Sequence, residues 1–148
     1  METGHVLDAI GGLTSQLKNY AARLPAIVHL TVVPTGIKPK PEAVDDYELI
    51  VSRFRHQSAG TAFKGLNDAF VESLEAFEVG KLLGSVQPLL AVLDHLDRMQ
   101  RDGEIVVEQG DEKRITEYRA GLHKILPGNK PELDGAGRGL YPAVSTRS

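Results

Sequence analysis

Cysteine is absent from this chain of 148 residues. That absence excludes disulfide bonds, thiolate nucleophiles and cysteine-based zinc sites. Stability must instead come from a hydrophobic core. Such a core is feasible because a single domain of 16.1 kDa buries about two-thirds of its unfolded surface on folding. A cysteine-free sequence is compatible with a reducing compartment, and we expect a cytoplasmic protein.

Long apolar runs and a strong net charge are also missing. No run approaches the ~20 apolar residues that cross a bilayer, and the start of the chain lacks the features of a signal peptide. We therefore expect no membrane association. The formal net charge is -3, which excludes a global basic field, so a nucleic-acid partner would need a local basic patch.

Apolar residues with helical spacing dominate the stretch from Thr61 to Gly103. They form two stripes, each with the spacing of one face of an α-helix. The first stripe is Phe63, Leu66, Phe70, Leu74 and Phe77, and the second is Val79, Leu82, Val86, Leu89, Leu93 and Leu96.

The two stripes do not lie on the same face of one continuous helix. At about 100° per residue, the second stripe begins about 200° around the helix from the end of the first. We therefore expect a break or kink between Glu78 and Pro88. Gly84, Ser85 and Pro88 are the most favourable places for it.

Two segments before this stretch also carry helical signals. Residues 3–24 have an apolar stripe, with Thr3 as the expected N-cap and Pro25 as the end. Gly11 and Gly12 interrupt that stripe. An ordinary core helix is the simpler interpretation, and close approach of another backbone is the alternative. Residues 41–57 begin with proline, carry acidic residues first and basic residues last, and are predicted to form a helix.

Residues 112–126 allow two interpretations. As a helix they present an apolar stripe, with Asp111 as the N-cap; the stripe is Ile115, Tyr118, Leu122, Ile125 and Leu126. As a hairpin, residues 113–118 would return along 104–109. We favour the helix because the stripe continues to the end of the segment.

Two short segments and the end of the chain differ from this helical pattern. Residues 26–33 and 104–108 are rich in β-branched side chains, and we expect them to pair as a two-stranded β-ribbon. Residues 127–148 are rich in glycine and proline and cannot bury enough apolar surface to order themselves, so an ordered tail would require a neighbouring chain. The sequence therefore predicts a mainly α fold: a four- or five-helix bundle over residues 1–126, a short ribbon and an extended C-terminal tail.

No catalytic or cofactor motif stands out, and we expect neither a cofactor nor a metal. The nearest candidate is Asp94, His95 and Asp97. The two aspartates share a helix face, but the histidine points about 100° away from Asp94. A solvated face neutralised by Arg98 and Arg101 is the simpler interpretation. An enzyme with a His/Asp site near residues 94–97 is kept as one alternative.

A basic cluster lies near the end of the helix predicted over 41–57. It consists of Arg53, Arg55 and His56, followed by Lys64. Cations at a helix C-terminus complement the helix dipole, which is the simpler explanation. The same side chains also suit a phosphate backbone or an acidic partner. A small nucleic-acid-binding subunit of a ribonucleoprotein complex is therefore a second alternative.

The central stretch is apolar on more than one face. A helix of that kind is either central in its own domain or shared with another subunit. The candidate interface residues are Phe63, Phe70, Phe77, Leu83, Leu90 and Tyr141. The leading hypothesis is a non-catalytic helical subunit or scaffold that acts through protein–protein contacts, including self-association, in a larger assembly.

Overall fold

The computed structural model describes residues 1–24 and 37–125, and in these ranges the chain is a bundle of five α-helices without a strand. They are α1 (Thr3–Ala21), α2 (Pro41–Ser58), α3 (Asn67–Glu78), α4 (Leu82–Arg101) and α5 (Gln109–Ile125), with a short 3-10 turn (Lys64–Leu66) before α3. The mainly helical prediction is confirmed for these ranges. None of the described helices is long and apolar enough to cross a membrane.

The division into a helical domain and a tail stays a prediction. Residues 127–148, together with residues 26–33, lie outside the described ranges.

The helix predicted over 41–57 matches α2 to within one residue. Pro41 is the first helical residue, and Glu42 lies in the first turn, where the helix dipole favours an anion. The buried face of α2 is apolar, with Tyr47, Val51 and Phe54 inside the core. Local signals and tertiary packing agree along this whole element.

The predicted break between the two apolar stripes is confirmed, but its position differs from the three favoured residues. The helix α3 ends at Glu78 and α4 begins at Leu82, with Gly80 between them at a φ of 78°. Glycine accepts this left-handed conformation without the steric cost of a Cβ, and it commonly ends helices.

The residues that were expected to break the chain lie inside α4. A Cβ at Gly84 would lie 3.3 Å from the Cβ of Ala76, so this glycine allows α3 and α4 to approach closely. Ser85 and Pro88 are both buried along the same helix.

The core is centred on the phenylalanines of α3. Phe77 stacks on Tyr47 of α2 with 4.3 Å between ring centroids, and meets Tyr20 of α1 edge-on at 5.6 Å. Phe70 packs against Phe54 of α2, also at 4.3 Å. Because the later residue of α3 meets the earlier residue of α2, these two helices run antiparallel.

The predicted β-ribbon is not seen. Residues 104–108 form an irregular connection between α4 and α5, and their expected partner lies outside the described ranges. The hydroxyl of Thr3 donates a hydrogen bond of 2.8 Å to the carbonyl of Val106, so the connection is held by α1. The predicted N-cap at Thr3 is wrong, because Thr3 is already the first residue of α1. The N-cap is Glu2, whose backbone N–H donates to Nδ1 of His5 at 3.0 Å.

Residues 109–125 form the helix α5, which decides between the two interpretations of this segment. Ile115, Leu122 and Ile125 are buried, as the stripe predicts. Asp111 is not the N-cap. It lies in the first turn, where its carboxylate accepts a hydrogen bond of 3.2 Å from the backbone N–H of Glu108.

The glycine pair of α1 accommodates side chains of two neighbouring helices, and not another backbone as the alternative interpretation proposed. A Cβ at Gly11 would lie 2.6 Å from the hydroxyl oxygen of Tyr118 in α5. A Cβ at Gly12 would lie 2.9 Å from Cδ1 of Ile50 in α2. The pair therefore admits side chains from two neighbouring helices.

We predict that Gly11→Ala destabilises the native chain and stabilises a Tyr118→Ala variant. In the native chain the added methyl overpacks the contact, which costs about 1–3 kcal/mol and outweighs the helix-propensity gain of about 1 kcal/mol. In the Tyr118→Ala background the contact is absent, so only the gain in helix propensity remains. Urea unfolding of the four proteins measures the coupling. Gly110→Ala is a matched control, because nothing lies within 4 Å of its new Cβ. A loss from Gly11→Ala that is equal in both backgrounds would contradict the contact.

Candidate functional site

The aspartates at 94 and 97 are engaged in an ion-pair network between α4 and α5. Nη2 of Arg119 lies 2.9 Å from Oδ1 of Asp94 and 2.9 Å from Oδ2 of Asp97. His95 lies apart from them, with its Nδ1 3.2 Å from Nη2 of Arg98. The partner of the aspartates is thus an arginine of another helix and not Arg98 or Arg101.

This network does not resemble the His/Asp site of the enzyme hypothesis. Both carboxylates face a guanidinium, and the imidazole belongs to a separate contact. Within residues 1–24 and 37–125, no group of three or more histidine, aspartate or glutamate side chains has a geometry that could hold a metal ion. The arrangement joins α4 to α5.

The members of the predicted basic cluster are divided between two surfaces. Arg53, Arg55, His56 and Lys64 are all exposed. Arg53 lines a recess between α1 and α2, together with His5 and Asp8. Arg55 and Lys64 instead share a cavity near the start of α3, where Asp68 adds an opposing carboxylate. Residues two positions apart on a helix diverge by about 200°, so the arginines cannot form one strip.

Three of the candidate interface residues are core residues. Phe63, Phe70 and Phe77 are covered by the chain itself, with exposed fractions of 4%, 0% and 0%. With exposed fractions this small, the three side chains are not accessible to a partner. Leu83 and Leu90 are half-buried, and Tyr141 lies outside the described ranges. The apolar richness of the central stretch thus serves the chain's own core.

A buried polar chain connects α2, α3 and α4. The hydroxyl of Ser73 donates to the carbonyl of Ser85 at 2.7 Å, and the hydroxyl of Tyr47 lies 2.5 Å from Oγ of Ser73. Because the single hydrogen of Ser73 is used on the carbonyl, Tyr47 is the donor of the second bond. Burial raises the pKa of Tyr47 far above the ordinary value of tyrosine, an effect that the bond to Ser73 only partly offsets.

We predict that this tyrosine makes the folded state lose stability in alkaline solution. An unfolded tyrosine releases its proton near pH 10, whereas the folded Tyr47 retains it. The contribution of Tyr47 to the free energy of unfolding is complete below about pH 10. Above that pH it falls by up to about 1.4 kcal/mol per pH unit, because the unfolded chain then releases a proton that the folded chain retains. Urea unfolding at rising pH should therefore show a shallower decline for Tyr47→Phe than for the native chain. Parallel declines would contradict the raised pKa.

The sequence analysis missed a cleft at the end of the bundle. It has a volume of about 470 Å³ and lies between the start of α1, the loop before the 3-10 turn and the connection 104–108. Its lining includes Met1, Glu2, Phe63, Glu104, Val106 and Asp111. Val106 is 79% exposed, the largest exposed fraction among the large hydrophobic residues of the described ranges.

A signal for this cleft was present in the sequence. Residues 104–108 alternate, so that Ile105 and Val107 face one way and Val106 faces the other with the two glutamates. In the structure Ile105 and Val107 pack against the core, and Val106 points outward. Because we predicted that this segment pairs as a strand, we did not expect an exposed valine in it.

The described ranges thus contain an open cleft with an exposed valine, a divided set of cations, a surface ion-pair network between α4 and α5, and a buried hydroxyl chain between α2, α3 and α4. Comparison of the chain with protein-family models, with curated proteins and with solved structures finds no match in any of the three.

Proposed function

We propose that this chain is a non-catalytic helical subunit that binds another protein through the cleft at the end of the bundle. The observation that carries the proposal is the exposure of Val106, 79% open to solvent at the edge of a cavity of about 470 Å³. A single exposed hydrophobic residue is ordinary on a protein surface. This one shares its cavity with Met1 and Ile105, which are half-buried and add apolar surface for a partner.

The energetics of this cleft favour occupation by a protein segment. Full burial of a valine side chain contributes about 1.5–3 kcal/mol, and the neighbouring apolar groups add to that gain. The carboxylates of Glu2, Glu104 and Asp111 supply a polar rim around the apolar centre. An apolar centre with a polar rim is the usual anatomy of a protein interface.

The groups that would be first candidates for chemistry have structural partners, which also supports a binding role. Asp94 and Asp97 face Arg119, and Tyr47 is enclosed in the core with Ser73. A cytoplasmic location and a place in a larger assembly belong to the same proposal.

Site-specific photo-cross-linking in the native host cells tests the proposal. A photoreactive amino acid replaces Val106 in one variant and Val79, a second exposed valine away from the cleft, in the matched control. We expect a discrete protein adduct from position 106 and none of the same mass from position 79. An adduct of twice the chain mass would identify a second copy as the partner.

Two outcomes would contradict the proposal. The absence of an adduct at position 106 in cells that contain the folded protein would show that the cleft is unoccupied. The same adducts from both positions would show collisional labelling and not a defined interface.

A further inference from the structure

The connection between α4 and α5 forms one wall of the cleft, and its side chains alternate as they do in an extended strand. Glu104, Val106 and Glu108 are exposed, whereas Ile105 and Val107 are half-buried against the core. In an extended chain the N–H and C=O of one residue point to the same side, and those of the next residue point to the opposite side. The connection therefore has two lateral edges.

The first edge, that of Glu104, Val106 and Glu108, is bonded to the bundle. The backbone N–H of Glu104 donates to a carbonyl in the last turn of α4 at 2.9 Å, and that of Glu108 donates to the carboxylate of Asp111 at 3.2 Å. Between them, the carbonyl of Val106 accepts the hydroxyl of Thr3 at 2.8 Å. Within the described ranges, every hydrogen bond of the connection uses one of these three residues.

The second edge consists of Ile105 and Val107. Within residues 1–24 and 37–125, no hydrogen bond uses the backbone N–H or C=O of either residue. Buried backbone groups in folded proteins are almost always paired, so we expect an unpaired edge to face solvent or another chain. Unpaired N–H and C=O groups along an extended segment are a template for the strand of another chain.

The side of the connection that faces the cleft adds a side-chain pattern to this edge. Val106 lies between Glu104 and Glu108 in the extended segment, and all three line the cleft. The other two ionisable side chains in the described lining, those of Glu2 and Asp111, are also carboxylates. Side chains directly opposite each other in a pair of strands contact, and opposite charges there attract. The pattern therefore fits a strand in which basic, apolar and basic side chains occupy alternate positions.

We propose that the partner adds an extended segment to the edge of Ile105 and Val107, with basic, apolar and basic side chains opposite Glu104, Val106 and Glu108. The inference rests on the proposed function, because it specifies how a partner is held at the cleft. In strand addition, main-chain hydrogen bonds supply affinity and the side chains at alternate positions supply specificity. A helical segment could not use this edge, because its own backbone groups are bonded internally.

Amide hydrogen exchange of the full chain, followed residue by residue by NMR, tests the inference. The probe is a synthetic peptide of seven residues in which lysine, valine and lysine alternate with threonine. Two further peptides have the same sequence and carry N-methyl groups on the amides of one edge or of the other. A fourth has glutamate in place of lysine. We expect the basic peptide to bind, one of the two N-methylated peptides to lose binding, and the acidic peptide to bind much more weakly.

The amides of the second edge report directly on strand addition. In the isolated chain, the amides of Ile105 and Val107 should exchange faster than those of Glu104 and Glu108, which are hydrogen-bonded. With the basic peptide at about ten times its Kd, exchange at positions 105 and 107 should slow about tenfold, because it then requires release of the peptide.

A charge-neutralising variant locates the side-chain contacts. Glu104→Gln combined with Glu108→Gln should weaken binding of the basic peptide roughly threefold to tenfold, because two exposed attractions are lost. Glu72→Gln with Glu75→Gln on the exposed face of α3 is the matched control, since it changes the net charge by the same amount. The control should bind the peptide nearly as the native chain does, and an equal loss in the two variants would overturn the charge pattern.

Four outcomes would overturn strand addition. Amides of Ile105 and Val107 that are already protected in the isolated chain would show that the chain pairs this edge itself. A bound peptide that leaves these amides unprotected would show docking by side chains alone. Equal effects of the two N-methylations, or no binding of the basic peptide at millimolar concentration, would also contradict it. In each of these cases a discrete photo-adduct at Val106 would still support the proposed function, which fails only if that adduct is absent or nonspecific.

Discussion

Replacement of Phe77 by alanine should lower the free energy of unfolding by about 3–5 kcal/mol. The side chain is fully buried and contacts aromatic rings from two other helices, Tyr47 of α2 and Tyr20 of α1. The substitution removes both ring contacts and leaves a cavity at the place where three helices meet. A small domain has a total stability of about 5–15 kcal/mol, so the loss is a large part of it.

Equilibrium urea unfolding measures this loss, with Val79→Ala as the control. Val79 lies two residues further along the chain and is 39% exposed, so its truncation should change stability by less than about 0.5 kcal/mol. Phe77→Leu fills most of the space and should cost about 1–2 kcal/mol, which keeps the test informative if the alanine variant does not fold. Equal effects at positions 77 and 79 would contradict the central place of Phe77.

The second large effect is expected from Ser73→Ala, which should lower the free energy of unfolding by about 1–3 kcal/mol. The substitution removes the acceptor that Ser73 provides for the hydroxyl of Tyr47, and that hydroxyl is enclosed where water cannot replace the bond. It also removes the donor to the carbonyl of Ser85. The expected loss therefore exceeds that of a typical solvent-exposed hydrogen bond.

A double-mutant cycle separates this explanation from simple loss of volume. In a Tyr47→Phe background the buried hydroxyl is gone, so Ser73→Ala no longer strands a donor and should cost clearly less than in the native chain. Urea unfolding of the four proteins provides the coupling energy. Additive losses would show that the two hydroxyls do not depend on each other.

The helical elements could be predicted because their signals are local. The start of α2 follows from Pro41 and the acidic residues after it, and the helix α5 follows from the stripe that includes Ile115 and Leu122. The break after α3 follows from a change of phase between two stripes. Its position at Gly80 was predicted wrongly, because Gly84, Ser85 and Pro88 are favoured for a break by local criteria and only packing placed them inside α4.

The candidate sites were predicted less well because they depend on which faces of the helices meet. Asp94 and Asp97 share a face, as expected, but their partner Arg119 lies more than twenty positions away in the chain. Arg53 and Arg55 are close in sequence and belong to different surfaces. The exposure of Val106 was not predicted, because the β-branched residues of this segment favour a strand by local criteria. In the structure the hydroxyl of Thr3 in α1 donates instead to the carbonyl of Val106.

The sequence by itself determined that this chain is a mainly helical protein without thiol chemistry, and where α2 begins and ends. Those properties depend on residue composition, on spacing and on interactions over one or two turns. Only the tertiary structure decided that the phenylalanines are core residues, that the glycine pair admits Tyr118 and Ile50, and that Asp94 and Asp97 face Arg119. Each of these outcomes depends on helix faces brought together by burial of apolar surface, which no local pattern specifies.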